Sequence, residues 1–286
     1  MNRRTVILGA AALAAAPLTA ARNAARAAGA APVRIAYVEW SDAVVATNIL
    51  AAVLKGMGHQ VVLTPVSGAA MWQAVATGDA DCMVAAWLPG THAAYYSKLK
   101  DQVDLIGPNV TGARLGWATP DYSPLTSIAD LKTQGGLVDN KVIGIDPGAG
   151  LMRASEKTIK DYGLSNITLV EGSDATMVGA LKDAITRKQP IVVTAWTPHW
   201  MFAAYKLKYL TDPKGSLGGE ETVNTVARKG LKTDMPDVYA VLSKFKLSLD
   251  DEQALMMQNQ AAGTDPAKTA GAWVQANPGV VKTWVG

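Results

Sequence analysis

Three tryptophans stand where a β-forming run gives out. The stretches Met83-Val84-Ala85-Ala86-Trp87-Leu88-Pro89 and Val192-Val193-Thr194-Ala195-Trp196-Thr197-Pro198 end in the same Trp-X-Pro signature, and Trp40 follows the stretch Val33 to Val38. Proline is favoured in the first turn of a helix, where its missing N–H costs nothing, so Trp-X-Pro reads as the corner at which a strand hands over to a helix. In open α/β sheets ligands sit at that corner, beyond the carboxyl ends of the strands. An indole there offers a π face, and a cation without hydrogen-bond donors, such as a quaternary ammonium, makes most use of it. For Trp87 or Trp196 taken alone, a packing anchor inherited through duplication explains the pattern equally well.

Three cation–π contacts supply at most about 6 kcal/mol, whereas micromolar binding needs about 8 kcal/mol. A second recognition element is therefore required. The turn Ile145-Asp146-Pro147-Gly148-Ala149-Gly150-Leu151-Met152 opens a helix with glycines, leaving free backbone N–H groups beside the positive end of a helix dipole. It lacks the Gly-Lys-Ser/Thr ending of a nucleotide P-loop, which argues against a triphosphate. A lone Gly-x-Gly is more often a plain left-handed turn. Beside an aromatic cage it points to a zwitterion, with a methylated ammonium at one end and a carboxylate at the other.

The elements that must position these residues alternate between strand and helix. Val33 to Val38, Val61 to Leu63 and Cys82 to Ala86 read as strands, with helices over Ala43 to Met57, Ala69 to Ala76 and His92 to Leu99. The pattern then repeats: strands at Val142 to Ile145, Thr168 to Val170 and Ile191 to Ala195, with helices over Leu151 to Tyr162 and from Ala175. Gly116 to Pro120 and Thr222 to Arg228 read as extended crossovers, and Asp234 to Trp284 is helical in character. Two similar α/β lobes joined by two crossovers make a hinged cleft suited to closing on a small molecule. The expected division places lobe I in residues 31–116 plus 217–286 and lobe II in residues 117–216.

Residues 1–30 read as an export signal. Arg3-Arg4 precede an apolar run from Val6 to Leu18, and Ala28-Gly29-Ala30 offers small residues for cleavage near Ala30. The arginine pair resembles a twin-arginine signal. Removing this segment takes away four arginines and no acids, so Lys+Arg falls from 27 to 23 against 24 Asp+Glu and the net charge becomes −1. Nothing in that balance argues for nucleic acid or an anionic membrane surface. The single cysteine, Cys82, lies in an expected buried strand and can form no intrachain disulfide. The expectation is a soluble periplasmic monomer.

The motifs Tyr37-Val38-Glu39-Trp40, Ala86-Trp87-Leu88-Pro89-Gly90-Thr91-His92, Gly144 to Met152 and Ala195-Trp196-Thr197-Pro198-His199-Trp200-Met201-Phe202 resemble, in this order, the glycine betaine/proline betaine-binding proteins of bacterial compatible-solute ABC importers. The resemblance covers nearly the whole mature chain. It implies a two-lobed periplasmic binding protein of the type II, Venus-flytrap class, with a betaine ligand and the importer's membrane subunits as partners. By the same resemblance Trp40, Trp87 and Trp196 form the cage, and the amides of Gly150 and Leu151 with the His92 side chain hold the carboxylate. Asp42 resembles an acid of the choline-binding branch that faces the cation, but Leu115 stands where that branch tends to place an aromatic. The choline reading is the alternative within this fold.

His199 and Trp200 follow Trp196 closely enough to be further contacts, although the helix position of His199 suits capping as well. Trp72 and Trp117 read as packing, His59 as solvated, and Asp79, Asp81 and Asp174 as caps and turn residues. Glu39 has the strand parity of the face opposite Trp40. No cofactor is expected. The histidines are too dispersed for a metal site and no nucleophile motif is present, so an enzyme acting on a small zwitterion is the weaker reading.

Overall fold

The computed structural model describes residues 31–286; the export segment read in residues 1–30, with its cleavage site, lies outside the described residues. Nine strands form one sheet: β1 (Val33–Tyr37), β2 (Val61–Pro65), β3 (Cys82–Leu88), β4 (Val103–Pro120), β5 (Lys141–Ile143), β6 (Thr168–Val170), β7 (Val193–Thr197), β8 (Leu207–Tyr209) and β9 (Glu220–Arg228). Their order is β2-β1-β3-β9-β4-β7-β5-β6, with β8 added on β4. β1 lies parallel between β2 and β3, and β5 lies parallel between β6 and β7. The same three-strand unit therefore occurs twice, on either side of the antiparallel pair β9 and β4.

Local sequence explains the two units. All seven residues of β3 are buried, as expected of a near-continuous apolar run covered on both faces. The helix Gly150–Tyr162 ends at Gly163, whose φ of 63° is a left-handed conformation that glycine adopts without a Cβ penalty. The chain beyond β9 is helical throughout, and its helices Leu249–Gln258 and Pro266–Ala276 pack on the helix Ser41–Gly56 that follows β1.

Two local expectations change. The crossover expected at Gly116 to Pro120 is only the end of β4, an 18-residue strand starting at Val103. Gly107, Pro108 and Gly112 hide its first part in the sequence, because the register against β9 shifts at these points and bulges accept such residues. Nor do the Trp-X-Pro prolines open helices. Pro89 and Pro198 follow cis peptide bonds in turns, and the next helical residues are Ala93 and Met201.

Asp81 is more than the turn residue its neighbours suggested. Its buried carboxylate accepts from Arg34 N at 2.8 Å, Nε at 3.1 Å and Nη2 at 2.9 Å, and from Arg228 Nε at 2.7 Å. It thereby ties β1 and β9 to the start of β3. Burial alone would raise its pKa, but the hydrogen bonds from Arg34 and Arg228 outweigh it and hold the carboxyl below its usual value. Such a group stabilises the fold fully above about pH 4 and loses that contribution as the pH falls through the lowered folded value.

Asp81→Asn should therefore cost about 2–3 kcal/mol at pH 7, below the value for a fully dry pair because both arginines reach solvent. It should also flatten the acid limb of the stability profile. Urea unfolding of both proteins at pH 7 and near pH 3 checks this, and equal stability at pH 7 would show that the cluster is held by the arginines' solvation alone.

Candidate functional site

The strand-to-helix corners converge. A cavity is lined by Trp40, Trp87 and Trp196, by Asp42, His92 and Leu115, and by Ala149, Gly150 and Leu151 at the start of the Gly150–Tyr162 helix. Trp40 comes from the end of β1, Trp87 from β3 and Trp196 from β7, and all three indoles are buried. Leu115 of β4 is the cross-strand partner of Trp196, so it flanks that indole on the same face of the sheet.

Hydrogen bonds at the polar edges of two indoles set their orientation. Trp40 Nε1 donates to Asp146 Oδ1 at 2.8 Å, and Trp196 Nε1 donates to Asp42 Oδ1 at 3.1 Å. Each bond runs between the two three-strand units. A third link joins them beside Asp42: Asp174 accepts from Ser41 N at 2.9 Å, Ser41 Oγ at 2.5 Å and His199 Nε2 at 3.0 Å.

The cavity also presents donors. His92 is fully buried, and its Nδ1 accepts the Trp87 N–H at 3.1 Å while Trp87 O accepts the His92 N–H at 2.9 Å. That pairing fixes the neutral tautomer with hydrogen on Nε2. The Nε2 atom is itself buried and has no partner among the described residues. Burial first, and then the positive charge of Arg153, push the His92 pKa down to about 3, so the ring is a neutral donor at ordinary pH. Gly150 and Leu151 lie in the first turn of their helix, where backbone N–H groups have no intrahelical acceptor.

Gly150 is required by contact. A Cβ on it would lie 2.3 Å from the Thr91 carbonyl oxygen and 2.4 Å from Thr91 Cγ2. The helix start therefore abuts the turn between β3 and the helix Ala93–Leu99. Arg153 reinforces the junction, donating to Thr91 O at 3.3 Å, Gly148 O at 3.1 Å and Tyr95 Oη at 2.7 Å, with Tyr95 donating in turn to Gly148 O.

The electrostatics are polarised along the cavity. Burial pushes the Asp42 carboxyl up to about 6, opposed by His199 and reinforced by Asp174, so Asp42 is largely ionised at pH 7. Glu252 lies behind it in the helix Leu249–Gln258, and burial, then the Asp42 charge, raise its pKa and favour its neutral form. Negative charge thus sits on Asp42 beside Trp196 and on Asp146 beside Trp40, where Asp146 Oδ2 is buried without a partner among the described residues, while His92 and the first-turn amides of Gly150 and Leu151 supply donors.

The remaining residues separate into other roles. His199 does not reach the cavity: it packs edge-on against Trp196 with ring centroids 4.5 Å apart, and its Nδ1 accepts from Met201 N at 3.1 Å. Trp200 and Glu39 line a different groove, and Glu39 is exposed as its parity implied. Trp72 and Trp117 are core residues, the latter donating to Ser155 Oγ at 2.9 Å. His59 is half-buried and bonded to Asp237 at 3.1 Å, a correction to its expected solvation. Asp174 is likewise a buried link between the units rather than a simple cap. Cys82 is buried, and burial pushes its thiol pKa up. Sequence reasoning missed Asp146, Arg153 and Tyr95 as partners, because each acts across a sequence separation of more than 50 residues that no local pattern reports.

Comparison with known proteins decides the class. Residues 31–276 match the family described as the substrate binding domain of ABC-type glycine betaine transport systems. The chain belongs to this family. Among its relatives is the glycine betaine/carnitine transport binding protein GbuC of Listeria monocytogenes, 43% identical over 155 residues; the match takes in 54% of this chain and about half (51%) of GbuC. Lactococcal OpuAC, solved closed around glycine betaine, superposes with a TM-score of 0.85 at 42% identity, covering 89% of this chain and 99% of OpuAC. A choline binding protein of an ABC transporter, solved with choline, gives a TM-score of 0.82 at 27% identity, covering 88% and 91% of the two chains. The fold is accordingly that of the two-lobed periplasmic binding proteins.

In this family member the Gly150–Thr91 junction should be intolerant of bulk. Gly150→Ala forces the helix away from the turn and should cost about 1–3 kcal/mol, in the range of other overpacked sites. Calorimetric unfolding reads the loss, and an unchanged melting temperature would mean that the two segments do not meet this closely in solution.

Proposed function

We propose that this chain is the periplasmic substrate-binding protein that presents glycine betaine, or a betaine with the same layout of charge, to the membrane subunits of an ABC importer. The observation that carries the reading is the His92 Nε2–H, a buried donor without a partner among the described residues, in the same cavity as three indoles. A buried donor left unsatisfied costs about 1–3 kcal/mol, and a ligand carboxylate at that end removes the cost. The first-turn amides of Gly150 and Leu151 add donors and the helix dipole adds positive potential. At the other end the trimethylammonium group meets Trp40, Trp87 and Trp196, with the Asp42 charge beside them. A zwitterion of this polarity matches both ends at once.

The lobes of this reading are residues 31–116 with 217–286, and residues 117–216. The order β2-β1-β3 on one side and β6-β5-β7 on the other, with β9 and β4 between them, supports that division. Binding and release without chemical change, by a monomer, is the function, and recovery of the ligand unaltered after incubation distinguishes it from an enzyme. No helix among the described residues is long and apolar enough to cross a membrane.

Choline is the second reading, favoured by Asp42 lining the cavity. It has no carboxylate for His92, Gly150 and Leu151, and Leu115 supplies no fourth aromatic. The two ligands separate on two variants. His92→Ala should weaken glycine betaine at least tenfold, matching the about 1.5–3 kcal/mol of a hydrogen bond to a charged group. It should leave any choline binding nearly unchanged, whereas Asp42→Asn should affect choline first. Because His92 stays neutral down to about pH 3, the ratio of wild-type to His92→Ala affinity should be constant between pH 7.5 and 5. Titration calorimetry checks each point. A wild type preferring choline, or a ratio that climbs as the pH falls through 6.5, would mean that His92 is not the neutral carboxylate donor.

A further inference from the structure

The cage shares part of its wall with a second opening. Thr91, Leu115 and Gly150 line both the cage and a second, solvent-open chamber, which Arg153, Lys157 and Glu221 also line. Gly150, Arg153 and Lys157 recur at helical spacing on one face of the Gly150–Tyr162 helix, so the second chamber runs along that helix. Two cations and one anion line it: Arg153 and Lys157 are positive, Lys157 also pairing with Asp161, while the Glu221 carboxylate keeps its charge as it accepts from Thr91 N at 3.1 Å and Oγ at 2.5 Å, and the helix N-terminus adds positive potential.

Of the three shared residues, two are fixed. Thr91 is clamped by Glu221, and Gly150 is a backbone contact against Thr91 with no side chain to move. Leu115 is different: it is half-buried, and its aliphatic side chain stands beside Trp196 on the neighbouring strand. An aliphatic residue can change rotamer or be shortened without unmaking a hydrogen bond.

We propose that Leu115 is a specificity-determining partition that sets the length of ligand this site accepts, and that trimethylammonio carboxylates with a longer spacer pass their carboxylate beyond it towards Arg153 and Lys157. This rests on the betaine reading of the cage and extends it to the ligand's spacer. The ammonium stays among the indoles in every case. A short ligand ends at His92 and the Gly150 and Leu151 amides; a long one displaces Leu115 and ends in the basic chamber.

The test is titration calorimetry of trimethylglycine and 4-trimethylammoniobutanoate against wild type, Leu115→Ala and Leu115→Phe. Leu115→Ala should shift the affinity ratio at least tenfold towards the longer ligand, and Leu115→Phe at least tenfold towards the shorter. In the Leu115→Ala background, Lys157→Ala should weaken the longer ligand several-fold, increasingly at low salt, and leave trimethylglycine unaffected. Variants that bind trimethylglycine normally with an unmoved length ratio overturn the partition while leaving the cage intact. A wild type that binds neither compound overturns the reading on which both rest.

Discussion

Two indole N–H groups, each held by a carboxylate from the other side of the sheet, are the constraint on which this site depends. Trp40 is tied to Asp146 and Trp196 to Asp42, and the pairs are reciprocal between the two three-strand units. Ring orientation thereby depends on the two units staying together. If the units separate, the indoles lose the acceptors that turn them, and Ser41 loses Asp174 in the same motion. The arrangement also carries a cost, because Asp42 is buried and Asp146 is partly so. The pKa of Asp42, raised to about 6 by burial, shows that the ionised form is retained against its desolvation. A cation among the indoles offsets that penalty directly.

At the other end the same logic runs with opposite sign. A cavity walled by indoles and aliphatic side chains strengthens charge–dipole interactions within it, so a few neutral donors suffice where a buried guanidinium would have to be desolvated. His92 fits this need because the Trp87 N–H occupies Nδ1 and burial keeps the ring uncharged. Arg153, the nearby full positive charge, spends its terminal nitrogens on the Thr91 and Gly148 carbonyls and on Tyr95, holding the junction instead of entering the cage. Gly150 lets that junction close. On the proposed reading, selectivity for a zwitterion follows from where the two kinds of group are placed, and the cavity lining holds no charged donor among the described residues.

The parts of this arrangement that are encoded locally were legible in the sequence. Trp87 and Trp196 announce themselves by ending apolar runs, Gly148 and Gly150 by opening a helix, and the duplicated unit by its repeated strand and helix periods. What escaped reading acts at long range or against the local pattern. Asp146 and Asp174 look like turn and cap residues because their partners, Trp40 and Ser41, are 106 and 133 residues away. Asp81 gives no local hint of Arg228, 147 residues further on. The first half of β4 is obscured by Gly107, Pro108 and Gly112, which a bulged strand accepts and a regular one does not. Pro89 and Pro198 were misassigned to helix starts because a turn and a first helical turn favour the same residue.

The central claim is that the indoles recognise the positive charge of the ligand and not merely its bulk of methyl groups. It is tested most directly by comparing trimethylglycine with 3,3-dimethylbutanoate, in which a carbon replaces the ammonium nitrogen and the carboxylate is kept. With three contacts of about 0.5–2 kcal/mol each, the charged ligand should bind at least tenfold more tightly by titration calorimetry at pH 7. Equal affinities would contradict the account and make the three tryptophans an apolar pocket that is indifferent to charge.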